Sequence, residues 1–156
     1  MTDKWIMNYI YQKIEIEKIK KEKFHYAYLL VAKRKNEISH GKNNLIENET
    51  CTTVHAELSA LDKVRSWKVC PKNIDLIVIR IKKNGEIGDA KPCNHCIHLL
   101  AESKINIQNV YYSSMLHNQC YIIKEKFSKM KNNITIDKRT TSKSSRYKCG
   151  EKIFYR

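Results

Sequence analysis

Hydrophobic positions along the chain follow two rhythms, one helical and one extended. Ile6, Ile10 and Ile14 fall on successive turns with Lys and Glu between them, which predicts an amphipathic helix over 3–23. The aromatic and aliphatic run Phe24–Ala32 predicts a strand, Lys33–Glu37 a polar turn, and Ile38–Lys42 a short second strand, together a hairpin. Thr52 or Thr53 is a candidate N-cap for a helix over Val54–Lys68, with Leu58, Leu61 and Val64 on one face and Pro71 as the stop. Ile74–Ile81 is nearly all apolar, the pattern of a central strand buried on both faces. Asn84-Gly85 is a turn, and Pro92 opens a helix over Cys93–Lys104, followed by a strand at Val110–Ser113. Beyond Ser114 the pattern weakens, to a short strand at Gln119–Ile123 and a short helix at Lys124–Met130. This alternation predicts an α/β sandwich with helices on both faces of one sheet.

At 156 residues the chain suits one domain with a real core. Its expected extent is 1–130, the N-terminal helix plus the core. A polar, basic segment over 131–156 follows, expected to be partly mobile. No apolar run approaches the roughly 18 residues of a membrane span, and the start lacks the basic and apolar regions of a secretory signal. A cytoplasmic location with no membrane partner is the expectation, and a nuclear one stays open.

Charge adds one question. The net charge is +14, from 30 basic and 16 acidic residues, and eleven basic against three acidic residues lie from Lys124 onward. Such a balance attracts nucleic acid or phosphorylated small molecules. The heavy use of Lys, Ile and Asn also fits an A/T-rich coding sequence, and both accounts stand. Six cysteines sit at 51, 70, 93, 96, 120 and 149, and only Cys93 and Cys96 are close. Scattered thiols without an export signal do not read as a disulfide framework, so the close pair reads as metal or redox chemistry.

The candidate chemistry lies in His55-Ala56-Glu57 and Pro92-Cys93-Asn94-His95-Cys96. Zinc favours thiolate and imidazole in tetrahedral array. Cys93 and Cys96, at i and i+3, can reach one ion from the first turn of a helix whose N-terminus favours thiolate. His55, at the start of the other helix, can supply a third ligand. Three protein ligands leave a fourth position open, the mark of a catalytic site, where water would reach a pKa of about 7. Glu57 is two residues from His55, about 200° around a helix, yet at the first turn both can approach the ion. A carboxylate there is a proton shuttle.

His-x-Glu followed by Pro-Cys-x-x-Cys resembles the cytidine deaminase-like superfamily of zinc deaminases. Gly41-Lys42-Asn43 is similar to the family's Gly-x-Asn, and Leu99–Ser113 to the helix–turn–strand after its Cys pair. The resemblance implies a three-layer α-β-α sandwich around a mixed sheet of about five strands. It also implies Zn2+ as cofactor and hydrolytic loss of an amino group from a nucleobase. By resemblance the attack is by zinc hydroxide and Glu57 moves the protons. The Ala56 backbone N–H holds the base carbonyl, and Asn43 touches the sugar.

Several residues carry a plainer reading beside this one. Cys93 and Cys96 with His95 and His98 could form a closed structural site, although His98 should point away. Ligands could persist in a family member that has lost turnover. Cys51 reads as a small buried thiol and Tyr26, Tyr28, Tyr111 and Tyr112 as core, while for Asn43 a turn residue is the alternative to the sugar contact. The substrate is less defined. Small tetrameric cytidine deaminases carry Cys where His55 stands, whereas deoxycytidylate, guanine and tRNA adenosine deaminases use His. The nucleic-acid editing type shows Ser-Trp where this chain has Ala90-Lys91. Cytosine in a free nucleoside or nucleotide is the first expectation. A base in single-stranded RNA, DNA or tRNA, held along the basic C-terminal segment, is the alternative. An inactive zinc-bearing nucleic-acid-binding module is the third. A homo-oligomer is implied by resemblance alone.

Overall fold

The structure is a computed structural model that describes residues 2–20, 24–45, 53–68, 71–82, 84–136 and 151–154. In chain order its elements are α1 (Thr2–Ile19), β1 (Phe24–Val31), β2 (Asn36–Lys42), β3 (Asn44–Leu45), β4 (Thr53–Val54), α2 (Ala56–Val64), β5 (Ile74–Ile81), β6 (Ile87–Gly88), α3 (Asn94–Glu102), β7 (Ile107–Leu116), β8 (Gln119–Lys126), α4 (Phe127–Ile136) and β9 (Glu151–Phe154). Among the described residues seven strands form one sheet in the order β2-β1-β5-β7-β8-β9, with β6 added to β5. Strands β5 and β7 run parallel and the other neighbours antiparallel, so the sheet is mixed. The parallel pair needs a crossover, and α3 lies within it.

The three expected layers are present. Alternation along each strand sends successive side chains to opposite faces. Tyr26, Tyr28, Leu30, Ile77, Ile79, Ile81 and Tyr111 pack on Ile6, Ile10 and Ile14 of α1. Ala27, Leu29, Leu76, Val78, Val110 and Tyr112 pack on the other side, against Ala60, Leu61 and Val64 of α2, Ile97 and Leu100 of α3, and Phe127 and Met130 of α4. The four tyrosines read as core are core, each 6% exposed or less.

Boundaries differ from the sequence expectation where tertiary pairing overrides local pattern. The helix expected from Val54 begins at Ala56, because Thr53 and Val54 are extended and pair with Leu45 and Asn44. The N-cap is therefore His55 rather than Thr53, while Thr52 lies outside the described residues. The strand expected to end at Ile123 continues to Lys126, and the next helix starts only at Phe127. Glu125, within the stretch expected to be helix, is 2% exposed: it accepts a 2.8 Å hydrogen bond from the Tyr112 hydroxyl and lies 3.6 Å from Lys91 Nζ. His117 and Asn118, both at positive φ, make the two-residue turn that joins β7 to β8. α4 crosses position 130, and Glu151–Phe154 adds an edge strand to β8. The expected mobility of 131–156 concerns residues of which 137–150, 155 and 156 lie outside those described, as do Cys51, Cys70 and Cys149.

Candidate metal centre

Two helix N-termini meet over the end of the sheet where β1 begins and β5 ends. α2 is held close to the sheet by Gly41 of β2, where a Cβ would sit 2.6 Å from the Ala60 backbone nitrogen and 2.7 Å from the Ser59 side chain. The Ser39 hydroxyl donates to the Ala60 carbonyl at 2.7 Å across the same contact. That packing fixes where His55, the extended residue capping α2, can place its ring. The approach to α3 is fixed in turn by β7, since the Ala90 N–H donates to the Ser113 carbonyl at 2.9 Å. Cys93 caps α3, and its sulfur accepts the Cys96 N–H at 3.5 Å.

His55 Nδ1 lies 3.1 Å from Cys96 Sγ and 3.4 Å from Cys93 Sγ, and the three donor atoms lie within 4.8 Å of one another. The Cys93 thiol is drawn down to about 5, first by a hydrogen bond from the Cys96 side chain, then by the Cys96 backbone N–H and the His55 ring, against the effect of burial. The Cys96 thiol is pushed up, by its hydrogen bond to Cys93, by burial and by Glu57. Glu57 is 4% exposed, and its carboxyl makes hydrogen-bonding contact with Cys96. Burial raises its pKa, outweighing that hydrogen bond.

A cavity of about 570 Å³ opens in front of this group, lined by His55, Glu57, Cys93, Asn43 and His25, with Arg80, Lys82, Asp89 and Lys91 among its walls. Its size suits a small organic ligand. Asn43 Oδ1 accepts the His25 backbone N–H at 2.8 Å, and the Asn43 N–H donates to the His25 carbonyl at 3.2 Å. Ala56 is buried in the first turn of α2, which no side chain caps.

The family described as the cytidine and deoxycytidylate deaminase zinc-binding region matches residues 1–114. The chain belongs to this family. No curated protein and no solved structure matches the chain. The deaminase family's cofactor is zinc, and the donor set suits it. Bonds of about 2.3 Å to sulfur and about 2.0 Å to nitrogen at tetrahedral angles put N and S roughly 3.5 Å apart, which the 3.4 Å separation to Cys93 matches and the 3.1 Å separation to Cys96 falls slightly short of. His95 and His98, the residues that could have closed the set, are exposed, and His98 Nε2 instead pairs with Glu102 at 3.1 Å. His55, Cys93 and Cys96 are thus positioned to bind the metal with one side of the set facing the cavity.

Of the residues singled out in the sequence, His55, Glu57, Cys93 and Asn43 line one cavity, Cys96 joins His55 and Cys93 in the donor set, and Ala56 is buried. Sequence reasoning missed His25, Arg80, Lys82, Asp89 and Lys91, which belong to no motif. The alternation of β5 was a usable signal: Arg80 follows Leu76 and Val78 on the face that carries the metal centre. No helix among the described residues is long and apolar enough to cross a membrane.

Proposed function

We propose that the protein is a hydrolytic deaminase that removes the amino group from cytosine in a free nucleoside or nucleotide. The observation that carries the reading is the Glu57 carboxyl. It is buried, in contact with Cys96, and at the wall of a ligand-sized cavity beside a three-donor metal set. A structural zinc site has no use for a carboxyl at that position.

Bound by His55, Cys93 and Cys96, zinc supplies a Lewis acid that brings water to a pKa of about 7. The protein's own groups do the rest. Glu57 accepts a proton from the attacking water and passes it to the ring nitrogen beside the amino-bearing carbon. It then helps the second water proton leave with the amino group as ammonia, while the water oxygen becomes the new carbonyl. Burial, which raises the Glu57 pKa, favours the protonated carboxyl and so its return of the proton to the base. The Ala56 N–H, in the uncapped first turn of α2, is available to the base carbonyl. The Asn43 carboxamide, oriented through its oxygen by the His25 N–H, keeps its NH2 for a sugar hydroxyl.

The test is an ammonia-release screen of the full chain over nucleosides, nucleotides and short oligonucleotides, with Glu57→Gln as control. Release from a cytosine-bearing small molecule, abolished in the variant, is the expected result. Complete inactivity of zinc-loaded protein on every compound contradicts the reading. Release from oligonucleotides alone, with steep salt dependence lost on removing 137–156, moves the substrate to single-stranded nucleic acid.

A further inference from the structure

Nothing in the chemistry above uses the cationic wall of the cavity. On β5 the metal-side face runs Leu76, Val78, Arg80, and with Lys82 just beyond the strand it leaves the core and lines the cavity. In the sheet Arg80 stands opposite His25 on one side and Gly88 on the other. A Cβ on Gly88 would lie 2.9 Å from Arg80 Cδ and 3.2 Å from Lys82 Cε. Both long side chains therefore lie over the bare backbone of β6, and a Cβ at Gly88 would have to push them aside. That support is itself held in place. The Ser113 hydroxyl, fully buried, donates to the Gly88 carbonyl at 2.8 Å and accepts the Arg80 backbone N–H at 3.1 Å. The Asp89 carboxylate accepts from the Ser114 hydroxyl and the Met115 N–H, each at 2.8 Å.

The two cations are also uncommitted. No ion pair among the described residues involves Arg80 or Lys82, whereas Lys91, on the same cavity, is engaged by Glu125. Beside them the ring nitrogen His25 Nε2 is buried without a hydrogen-bond partner among the described residues. Two cations with no ion pair among the described residues and an unsatisfied ring nitrogen, side by side on the wall of the cavity that holds the metal set, call for an anionic group on the ligand.

We propose that Arg80 and Lys82 are the phosphate subsite of this cavity, and that the substrate is a nucleoside monophosphate rather than a free nucleoside. The inference rests on the deaminase reading above. A terminal phosphate monoester carries about −1.5 to −2 charges at neutral pH, which two cations balance. An internal phosphodiester carries one. The Arg80 guanidinium offers a planar fork to two phosphate oxygens, and Lys82 adds a point charge. The cavity has room for one nucleotide.

The zinc-loaded full chain is assayed on cytidine, deoxycytidine, their 5′-monophosphates and a short single-stranded oligonucleotide, as wild type, Arg80→Gln, Lys82→Gln and Arg80→Lys. Equilibrium binding of the same monophosphates and of inorganic phosphate is measured in parallel. Wild type is expected to prefer a monophosphate over its nucleoside. Arg80→Gln should lose about 10- to 100-fold in kcat/KM for the monophosphate, chiefly through KM, with nucleoside turnover changed little. Arg80→Lys should restore part of the loss, and inorganic phosphate should compete in wild type and not in Arg80→Gln. Gly88→Ala, which displaces both side chains without removing a charge, should reproduce the defect at unchanged zinc content. Equal losses on nucleoside and monophosphate, or none, overturn the subsite, and an oligonucleotide preferred over every monophosphate overturns the substrate class. Should no compound be turned over, the deaminase reading fails separately. The binding arm then decides the subsite by whether Arg80→Gln abolishes phosphate competition.

Discussion

On the side of the sheet covered by α1, β1 and β5 present Tyr26, Tyr28 and Leu30 with Ile77, Ile79 and Ile81. On the other side the same two strands present His25, Ala27 and Leu29 with Leu76, Val78 and Arg80. The first side uses bulk: large residues against three isoleucines of one helix, each at most 1% exposed. The second trades bulk for approach. Ala27, Ala56, Ala60 and Ala90 are small, and Gly41 lets α2 come within a distance no Cβ would tolerate. Two helix N-termini can then meet over one end of the sheet, and the residues at that end are polar because they face a cavity instead of a helix. One face holds the strands together and the other spends the same strands on a site.

The largest effect belongs to the metal set. Cys96→Ala should abolish zinc binding, measured by metal analysis, and with it all turnover, while circular dichroism keeps the helix and strand signal of the intact α1 face. Glu57→Gln should separate the two properties: zinc stays stoichiometric, and kcat falls by about 10²- to 10⁴-fold. Zinc lost together with activity in that variant would make Glu57 a ligand or a structural group.

Ile10→Ala sharpens the comparison from the other side. Removing a fully buried side chain from the α1 face should cost about 2–5 kcal/mol in urea unfolding. Zinc content and activity of the folded fraction should stay as in wild type. The smallest effect is a pH dependence at His25. Burial first, then Arg80 and His55, lowers its pKa to about 4. An unfolded His takes a proton near 6.5, so the unfolded chain gains on the folded one as pH falls from about 6.5 to about 4. His25→Gln should flatten that part of the unfolding-midpoint profile and leave the profile above pH 7 unchanged.

What could be read from the sequence was local. His55 and Glu57, Cys93 and Cys96, and the apolar run of β5 each announce themselves within a few residues; the structure brings His55, Cys93 and Cys96 within reach of one ion and makes Ile74–Ile81 a strand. What could not be read depended on partners far along the chain. Glu125 looks like a surface residue until Tyr112 and Lys91 are beside it. β6 is two residues long and reads as loop, and β9 is strand because β8 offers it an edge. His55 caps α2 because β3 holds the preceding residues extended, which no capping preference reveals. Arg80 sits in an apolar run as one unexplained charge until Gly88 gives its side chain a path to the cavity.

The central claim is most directly tested by removing and restoring the metal while following ammonia release from cytosine nucleotides. The account predicts one zinc per chain, activity lost with the zinc and regained in proportion to it, and no activity in zinc-replete Glu57→Gln. Deamination that survives complete loss of zinc, or full zinc occupancy with no deamination of any nucleoside, nucleotide or oligonucleotide, would contradict it.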